Sequence, residues 1–306
     1  MGDWFYNEDF KFQYLQEVQP RNIHVKTTVD VLFRRIKPIE YKLGKDLYDF
    51  TTKEIIEFYK WLSTPSLESL MVMNNQFKLY TVYALNKKMV KDNQNHYAEI
   101  DNSTLAKCVN YGLVQNRIIT RKELIDILES EAIENVSDKV IALALFEGIA
   151  GKELVELNHM EPEDINEKTQ MIKLYGGREL KISEKLMNWC FESANEYNFY
   201  NSLTKKPNKY YLSTDTRVIK RLSNSTVDTD HQRHKTINRR LDAMIDKTNC
   251  FAFTVGSLKE SGRLEMIKEL RESGMDLHTA LTNKEMIYRY GRIPSLRRYC
   301  IKYGLD

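Results

Sequence analysis

The sequence has few of the features that mark secreted, metal-binding or membrane proteins. Its four cysteines, Cys108, Cys190, Cys250 and Cys300, are far apart and form no C-x-x-C pair. A zinc site is therefore not expected, and reduced, mostly buried thiols are the simpler interpretation. No apolar run approaches the ~20 residues that a membrane-spanning helix needs. Because the amino terminus also lacks a signal-peptide pattern, we expect a cytoplasmic protein without a membrane partner.

Cofactor motifs are absent as well, and the overall charge is low. We recognise no phosphate-binding loop and no metal-ligand cluster, so we expect neither a cofactor nor a metal. The formal net charge is only +3, but its distribution is uneven. Residues 121–204 contain 9 basic and 17 acidic side chains, whereas residues 205–258 contain 11 basic and 5 acidic ones. The basic segment predicts a surface for a polyanion, although chance clustering of solvated charges gives the same pattern.

The length of 306 residues favours two domains. In the first, apolar residues at helical spacing predict a helix from Thr27 to Leu43, which Pro38 is expected to bend or split. The T-x-x-E pattern from Thr51 to Glu54 predicts a capping box at the start of the next helix. A long helix follows over residues 67–90. Residues 1–112 are therefore interpreted as a helical bundle, which ends at a linker over residues 112–119.

The second half adds strands to helices. Thr120 and Glu123 form another capping-box pattern, and an apolar helix crosses residues 140–146. Gly176-Gly177 predicts a hairpin turn between strands over residues 171–175 and 179–182. Helices are then predicted at about 214–221, 233–246, 257–273, 277–288 and 294–303. The expected fold is mainly α with a small antiparallel sheet, in which residues 119–306 form an α+β domain.

Several phrases in this order resemble the tyrosine recombinase (phage integrase) family. GKDL at 44–47 and FTTKEI at 50–55 resemble the first helices of its core-binding domain. ITRKEL at 119–124 resembles the opening of its catalytic domain, and LFEGIAGKELVEL at 145–157 resembles its first conserved box. ESGMDL at 272–277 resembles the end of the helix that carries the second box. The resemblance covers nearly the whole chain and implies the two-domain recombinase fold.

The resemblance also implies which residues stand at the catalytic positions. The family uses two arginines to hold the scissile phosphate, a lysine and histidines to move protons, and a tyrosine as nucleophile. Ala150 stands at the position of the first arginine. Lys152, two residues later, could substitute only in part, because its ammonium is a point charge and not a planar guanidinium fork. The catalytic lysine cannot be aligned, because Lys173 and Lys181 both flank the hairpin turn.

The second and third boxes are altered too. In the H-x-x-R box, Glu260 replaces the histidine and Arg263 keeps the arginine. In the L-G-H box, Arg292 replaces the histidine, and Arg292 cannot serve as a general acid at neutral pH. Tyr299 and Tyr303 follow this box, and Tyr299 is the better candidate nucleophile of the two. Its spacing differs from the family's, and the alternative is that Tyr299 is a buried core residue. The resemblance therefore implies a degenerate site with no intact catalytic set.

The basic segment before the second box is the strongest candidate for DNA contact. Arginines and lysines surround a predicted helix that begins near His231, and their donors suit phosphates and base edges. Solvated surface charge is the alternative for each single residue. The candidate DNA-binding residues are Arg34, Arg35, Lys78, Arg178, Arg233, Lys235, Arg239, Arg240, Arg263 and Arg292.

From the resemblance we expect a sequence-specific, nucleoid-associated protein that binds double-stranded DNA in a bacterial cell. Integrase-like prophage repressors, which keep the fold without strand exchange and maintain lysogeny, are the nearest comparison. Its partners would be operator-like DNA and either a second copy of the chain or a small phage-encoded regulator. Two alternatives stay open: an active integrase with divergent catalytic residues, and an architectural protein that binds DNA without much specificity. A small-molecule enzyme is the least supported class.

Overall fold

The structure is a computed structural model that describes residues 4–17, 23–64, 66–201, 208–225 and 228–305. The chain forms two compact units, Met1–Leu113 and Val114–Asp306. Within the described ranges, no helix is long and apolar enough to cross a membrane. The same ranges contain no group of histidine, cysteine and carboxylate side chains that could hold a metal ion.

The first unit is built of helices. The predicted capping box at Thr51 is confirmed, because Thr51 Oγ1 accepts from Glu54 N and the Glu54 carboxylate accepts from Thr51 N at 2.8 Å. Short 3-10 turns at Leu47–Asp49 and His96–Ala98 join the helices. The helices are α1 (Glu8–Glu17), α2 (Ile23–Leu43), α3 (Thr52–Leu62), α4 (Leu67–Asn86) and α5 (Asn102–Ala106), followed by α6 (Gly112–Gln115) in the predicted linker.

Pro38 was predicted to bend or split α2, and of these two alternatives the split is wrong, because the helix continues through Pro38. Pro38 is exposed, and the carbonyl that loses its amide partner can be hydrated on that side. The opposite face holds the helix in place, because Phe33 and Ile36 are fully buried. The Phe33 ring packs 4.9 Å from the Tyr80 ring of α4, centroid to centroid. Core packing therefore outweighs the local cost of the proline.

A buried ion pair joins α1 to α2. Lys11 Nζ lies 2.5 Å from Glu40 Oε1, and both side chains are fully buried. Asp46 lies 3.9 Å from the same ammonium and accepts hydrogen bonds from Asn7 and Tyr80. Burial raises the pKa of the Glu40 carboxyl, and the Lys11 charge opposes that rise. This pair fixes the register of α1 on α2, because an unpaired charge there would be strongly unfavourable.

The second unit combines nine helices among its described residues with two small antiparallel sheets. The sheets have the strand orders β1-β2-β3 and β4-β5. The strands are β1 (Ile165–Asn166), β2 (Met171–Lys173), β3 (Glu179–Lys181), β4 (Asn198–Asn201) and β5 (Asn208–Tyr211). The helices are α7 (Arg121–Glu129), α8 (Val136–Phe146), α9 (Val155–Asn158), α10 (Glu184–Ala194), α11 (Asp230–Thr248), α12 (Val255–Glu272), α13 (Leu277–Leu281), α14 (Lys284–Tyr290) and α15 (Leu296–Tyr303).

Helix α8 is the centre of this unit. Every residue from 140 to 146 is fully buried, and the helix packs against α10, α11 and α12. Its end meets α12 at Gly262, where an added Cβ would lie 1.7 Å from the Phe146 carbonyl oxygen. The Tyr290 hydroxyl donates to that same oxygen at 2.8 Å. Glycine at 262 therefore permits the close crossing that brings α12 to the loop after α8.

The predicted hairpin and the second capping box are confirmed. Strands β2 and β3 pair in antiparallel register, with Ile172 opposite Leu180. Gly176 and Gly177 in the turn both have positive φ, which favours glycine. Thr120 and Glu123 cap α7 reciprocally. The expectation of a mainly α chain with small antiparallel sheets is therefore confirmed.

Two predicted helices are wrong. Residues 214–221 are irregular, because the Asp215 carboxylate accepts from Ser213 Oγ and Arg217 N, and such local bonds compete with a helix. Residues 277–288 divide into α13 and α14, because Asn283 Oδ1 caps a new helix by accepting from Glu285 N and Met286 N. The strands β4 and β5 were not predicted.

Candidate active site and nucleic-acid interface

Arg178 lies just after the hairpin turn and connects three separate segments. Its Nε and Nη2 donate to the two oxygens of Glu156 at 2.8 and 2.6 Å. Nη2 also donates to the Gly148 carbonyl, and Nη1 donates to the carbonyls of residues 288 and 289, all within 2.9 Å. A guanidinium has five N–H donors, and these five bonds use all of them. The Arg178 side chain is therefore engaged within the unit.

The loop after α8 is shaped by the same carboxylate. Ala150, at the position of the family's first arginine, is buried and donates its backbone N–H to Glu156 Oε2 at 3.0 Å. Gly148 has positive φ, and a Cβ there would lie 2.7 Å from Arg289 Cγ. Lys152 is exposed. The loop is therefore packed tightly around a methyl group where the family carries a cation.

Arg263 is buried on α12, directly after the close crossing at Gly262. Its Nη1 pairs with Glu260 Oε1 at 2.9 Å, one turn earlier on the helix, and its Nη2 donates to the Tyr290 carbonyl. Arg263 Nε is buried without a hydrogen-bond partner in the described part of the chain. Two of its three nitrogens thus serve the fold, and Glu260 neutralises much of its charge.

Tyr299 lies on α15 next to this pair. The Arg263 guanidinium carbon is 5.9 Å from the centre of the Tyr299 ring. The Tyr299 hydroxyl is buried and makes no hydrogen bond of normal geometry with any described residue. Burial raises the pKa of Tyr299 above its ordinary value, and the negative charge of Glu260 raises it further. A tyrosine attacks phosphorus as an oxyanion, so both effects oppose its use as a nucleophile.

Sequence reasoning missed two cations near this site. Lys259 is half-buried beside Glu260; burial lowers its pKa, and the neighbouring Arg263 lowers it further. Arg289 donates to the Glu147 and Lys181 carbonyls at 2.9 and 2.8 Å. Neither residue stands in a family box, so the motif comparison gave no signal for them. Their burial depends on the packing of α12 and α14, which no local pattern predicts.

The remaining family positions are exposed. Arg292 follows α14 on the surface and makes no ion pair with any other described residue. Lys173 and Lys181 lie on the exposed face of the hairpin. The structure therefore brings Ala150, Arg178, Glu260, Arg263 and Tyr299 into one neighbourhood and leaves Arg292 at its edge.

Helix α11 carries its cations on two different faces. Arg233 and Arg240 are buried and paired, the first with Asp228 and the second with Asp138 at 2.6 Å. Lys235 and Arg239 lie one turn apart on the exposed face, and neither makes an ion pair in the described part of the unit. The paired arginines anchor the helix, whereas the exposed cations are free to meet a polyanion.

The first unit contributes exposed cations of its own. Arg34 on α2 pairs with Asp30 at 2.8 Å and lies over the Trp4 ring at 4.3 Å. Arg35 on the same helix and Lys78 on α4 are exposed, and neither has an ion-pair partner among the described residues. Sequence alone could not separate the paired cation from the unpaired ones.

The bonds of Arg178 generate a stability prediction. Arg178→Lys should lower the free energy of unfolding by roughly 3 kcal/mol, because an ammonium cannot replace the five directed bonds and leaves buried Glu156 poorly paired. Chemical denaturation measures this change, and Arg292→Lys, at an exposed position, is the matched control with an expected change under about 0.5 kcal/mol. Equal, small changes in both variants would show that the Arg178 network does not stabilise the unit.

Comparison with known proteins agrees with this two-part architecture. Residues 118–294 match the family model described as MrpR, C-terminal catalytic domain, and residues 5–86 match MrpR, N-terminal core-binding domain. The chain is 24% identical to the SPbeta prophage-derived uncharacterized protein YopR of Bacillus subtilis (strain 168) over 281 residues, 88% of this chain and 84% of that protein. It is also similar to a solved structure described as XerA recombinase, at 12% identity with a TM-score of 0.35, over 97% of this chain and 99% of that chain.

The two family models correspond in order to the two compact units. The C-terminal model alone, over residues 118–294, matches more than half of the chain. The expectation of a recombinase-like core-binding domain followed by a catalytic-type domain is confirmed on this basis. The chain belongs to the MrpR family.

Proposed function

We propose that the chain is a sequence-specific double-stranded DNA-binding protein, a prophage transcriptional repressor that controls lysogeny without cutting DNA. The observation that carries the proposal is the contrast between α11 and the neighbourhood of Arg263. On α11, Lys235 and Arg239 are exposed and unpaired among the described residues. Around Arg263, the groups that catalysis would use are paired, buried or replaced. This contrast supports a protein that binds DNA and does not cleave it.

The electrostatics favour phosphate contact on the exposed helix face. Lys235 and Arg239 are four residues apart, so they lie on the same side of α11 and can follow one backbone strand. Thr236, also exposed on this helix, donates its hydroxyl to the Gln232 carbonyl and can still accept a hydrogen bond from a base edge. Arg292 in the second unit, with Arg35 and Lys78 in the first, would extend the contacts. Arg34, Arg178, Arg233, Arg240 and Arg263 would act as supports.

The lost chemistry has a physical basis. A recombinase stabilises the transition-state charge with two arginine forks, and removing one such donor typically costs about 3 kcal/mol. Here Ala150 supplies no fork, and the Arg263 guanidinium already pairs with Glu260. An ionised Glu260 also repels phosphate. The similar prophage-derived protein from Bacillus subtilis supports a prophage setting for this chain, and we place it in the bacterial cytoplasm on the nucleoid.

An active recombinase is the second candidate, because Arg263 and Tyr299 do lie side by side and the matching family model is described as a catalytic domain. In that case Tyr299 would form a covalent link to a DNA 3′ phosphate, and the link would survive denaturation.

The exposed cations of α11 give the first functional prediction. Lys235→Ala and Arg239→Ala should each weaken duplex binding about fivefold to tenfold and reduce the slope of log affinity against log salt by about 1. Fluorescence anisotropy titrations over a range of salt concentrations measure both quantities. Lys268→Ala is the matched control, because Lys268 is exposed on α12 and pairs only loosely with Glu272, at 3.8 Å. An unchanged affinity and slope in both α11 variants would remove this helix from the interface.

Tyr299, at the position of the nucleophile, gives the second functional prediction. Tyr299→Phe should leave duplex affinity unchanged within about twofold, because the hydroxyl is buried and a phenyl ring keeps the packing. Wild type should form no covalent adduct with a nicked or suicide duplex on a denaturing gel. A covalent band in wild type that disappears in Tyr299→Phe would establish the recombinase instead.

The repressor role is tested by mapping binding sites. Purified protein is mixed with fragmented DNA of the genome that encodes it, and the bound fragments are recovered at ~150 mM salt, which suppresses weak non-specific contacts. We expect several discrete sites close to promoters. Recovery of one site at a phage–chromosome junction would indicate an integrase, and diffuse recovery would indicate an architectural protein.

A further inference from the structure

A cavity of about 630 Å³ lies beside α11 in the second unit. Its walls are formed by residues of α11, of strand β4 and of the irregular segment over residues 212–225. Its size falls within the roughly 300–1,000 Å³ of small-molecule sites. Lys235 does not line it, whereas Arg239 does, so the cavity borders the exposed basic face of the helix and shares Arg239 with it.

The cavity wall is strongly cationic. Two acidic side chains line it, Asp138 and Asp228, and both are already paired with arginines. The lining cations are Lys220, Arg221, Arg233, Arg239, Arg240 and Lys247. Lys247 and Arg239 have no ion-pair partner among the described residues of this unit. An excess of positive charge at a concave, partly apolar wall favours an anionic ligand.

Two buried polar atoms on the same wall lack partners. Asn158 is only 1% exposed, and its Oδ1 accepts no hydrogen bond in the described part of the chain. Its Nδ2 is turned toward oxygens of Asp230, the nearest at 3.4 Å, which fixes the orientation of the amide. Arg221 Nε is also buried without a partner among the described residues, while its Nη1 donates to the Ser225 carbonyl. Buried polar groups are almost always hydrogen-bonded, so an unused acceptor and an unused donor at one cavity indicate a missing ligand.

The rest of the lining suits a planar ring. Phe199 and Tyr200 of β4 line the cavity together with the apolar side chains of Ile237 and Met244 on α11. The Arg240 guanidinium lies 4.8 Å from the centre of the Phe199 ring, so this wall already holds one flat cationic group against an aromatic face. A ligand with an aromatic ring and a phosphate would satisfy the apolar wall, the unused polar atoms and the cations together.

We propose that this cavity binds a nucleoside monophosphate. The phosphate would pair with Lys247 and Arg239, the base would lie on the apolar wall, and its edge would bond Asn158 Oδ1 and Arg221 Nε. The site needs no DNA and no catalytic residue, and it shares only Arg239 with the proposed DNA interface. Lys247 and Ala243, which the DNA-binding proposal does not use, let the two proposals fail separately. The same phosphate chemistry could come from a duplex backbone, and the test separates the two sources.

The test is isothermal titration calorimetry of the full chain with each of the four ribonucleoside 5′-monophosphates at ~150 mM salt. At least one should bind saturably at one per chain. Lys247→Ala should weaken that binding roughly tenfold, the usual effect of losing a charge-assisted hydrogen bond. Ala243→Trp should abolish it, because Ala243 lines the cavity on α11 and an indole would fill the space without changing any charge. Lys235→Ala, on the same helix but outside the cavity, should leave it unchanged.

The fold of each variant is checked by thermal melting, so a failure to bind is not confused with a failure to fold. The proposal is overturned if none of the four nucleotides saturates, or if Ala243→Trp binds as well as wild type. It is also overturned if nucleotides fail to bind while Ala243→Trp selectively weakens duplex binding, because that result assigns the cavity to the DNA backbone. Saturable nucleotide binding that Lys247→Ala and Ala243→Trp reduce, and Lys235→Ala does not, supports it.

Discussion

The second unit depends on one guanidinium. Arg178 uses its five donors to tie the hairpin to Glu156, to the loop after α8 and to the end of α14. These segments carry the first conserved box of the recombinase resemblance and end directly before the third. A charge-assisted fork of this kind fixes direction as well as distance, so it sets where the neighbouring side chains can point. With Glu156 held there, the Ala150 amide and the Gly148 carbonyl are fixed as well.

That constraint changes what the neighbourhood can do. In a phosphoryl-transfer site, cations are held so that their donors face the substrate. Here the donors of Arg178 face carbonyls and a carboxylate of the protein, and Arg263 faces Glu260 and the Tyr290 carbonyl. Each positive charge is therefore largely cancelled by groups of the protein itself. Arg178 and Arg263 stabilise the fold, and the raised pKa of Tyr299 is a consequence of that packing.

Sequence predicted the parts of the fold that local chemistry controls. The capping boxes at Thr51 and Thr120 and the Gly176-Gly177 hairpin are decided by residues within four positions of each other, so their patterns were sufficient. The continuous helix through Pro38 and the strands β4 and β5 were missed, because core contacts of α2 and pairing between strands decide them. In the candidate site, motif spacing located Ala150, Glu260 and Arg263. Motif spacing could not show that Arg178 pairs with Glu156, because these residues are 22 positions apart.

The same limit explains why composition alone overstated the number of exposed cations in this segment. Residues 205–258 contain eleven cations, yet Arg233 and Arg240 are buried against Asp228 and Asp138. A buried arginine needs a carboxylate partner, and the partner of Arg240 comes from α8, about 100 residues earlier. Burying these two arginines orients α11, so that Lys235 and Arg239 stay exposed to solvent. The two buried arginines therefore determine which cations of α11 remain exposed.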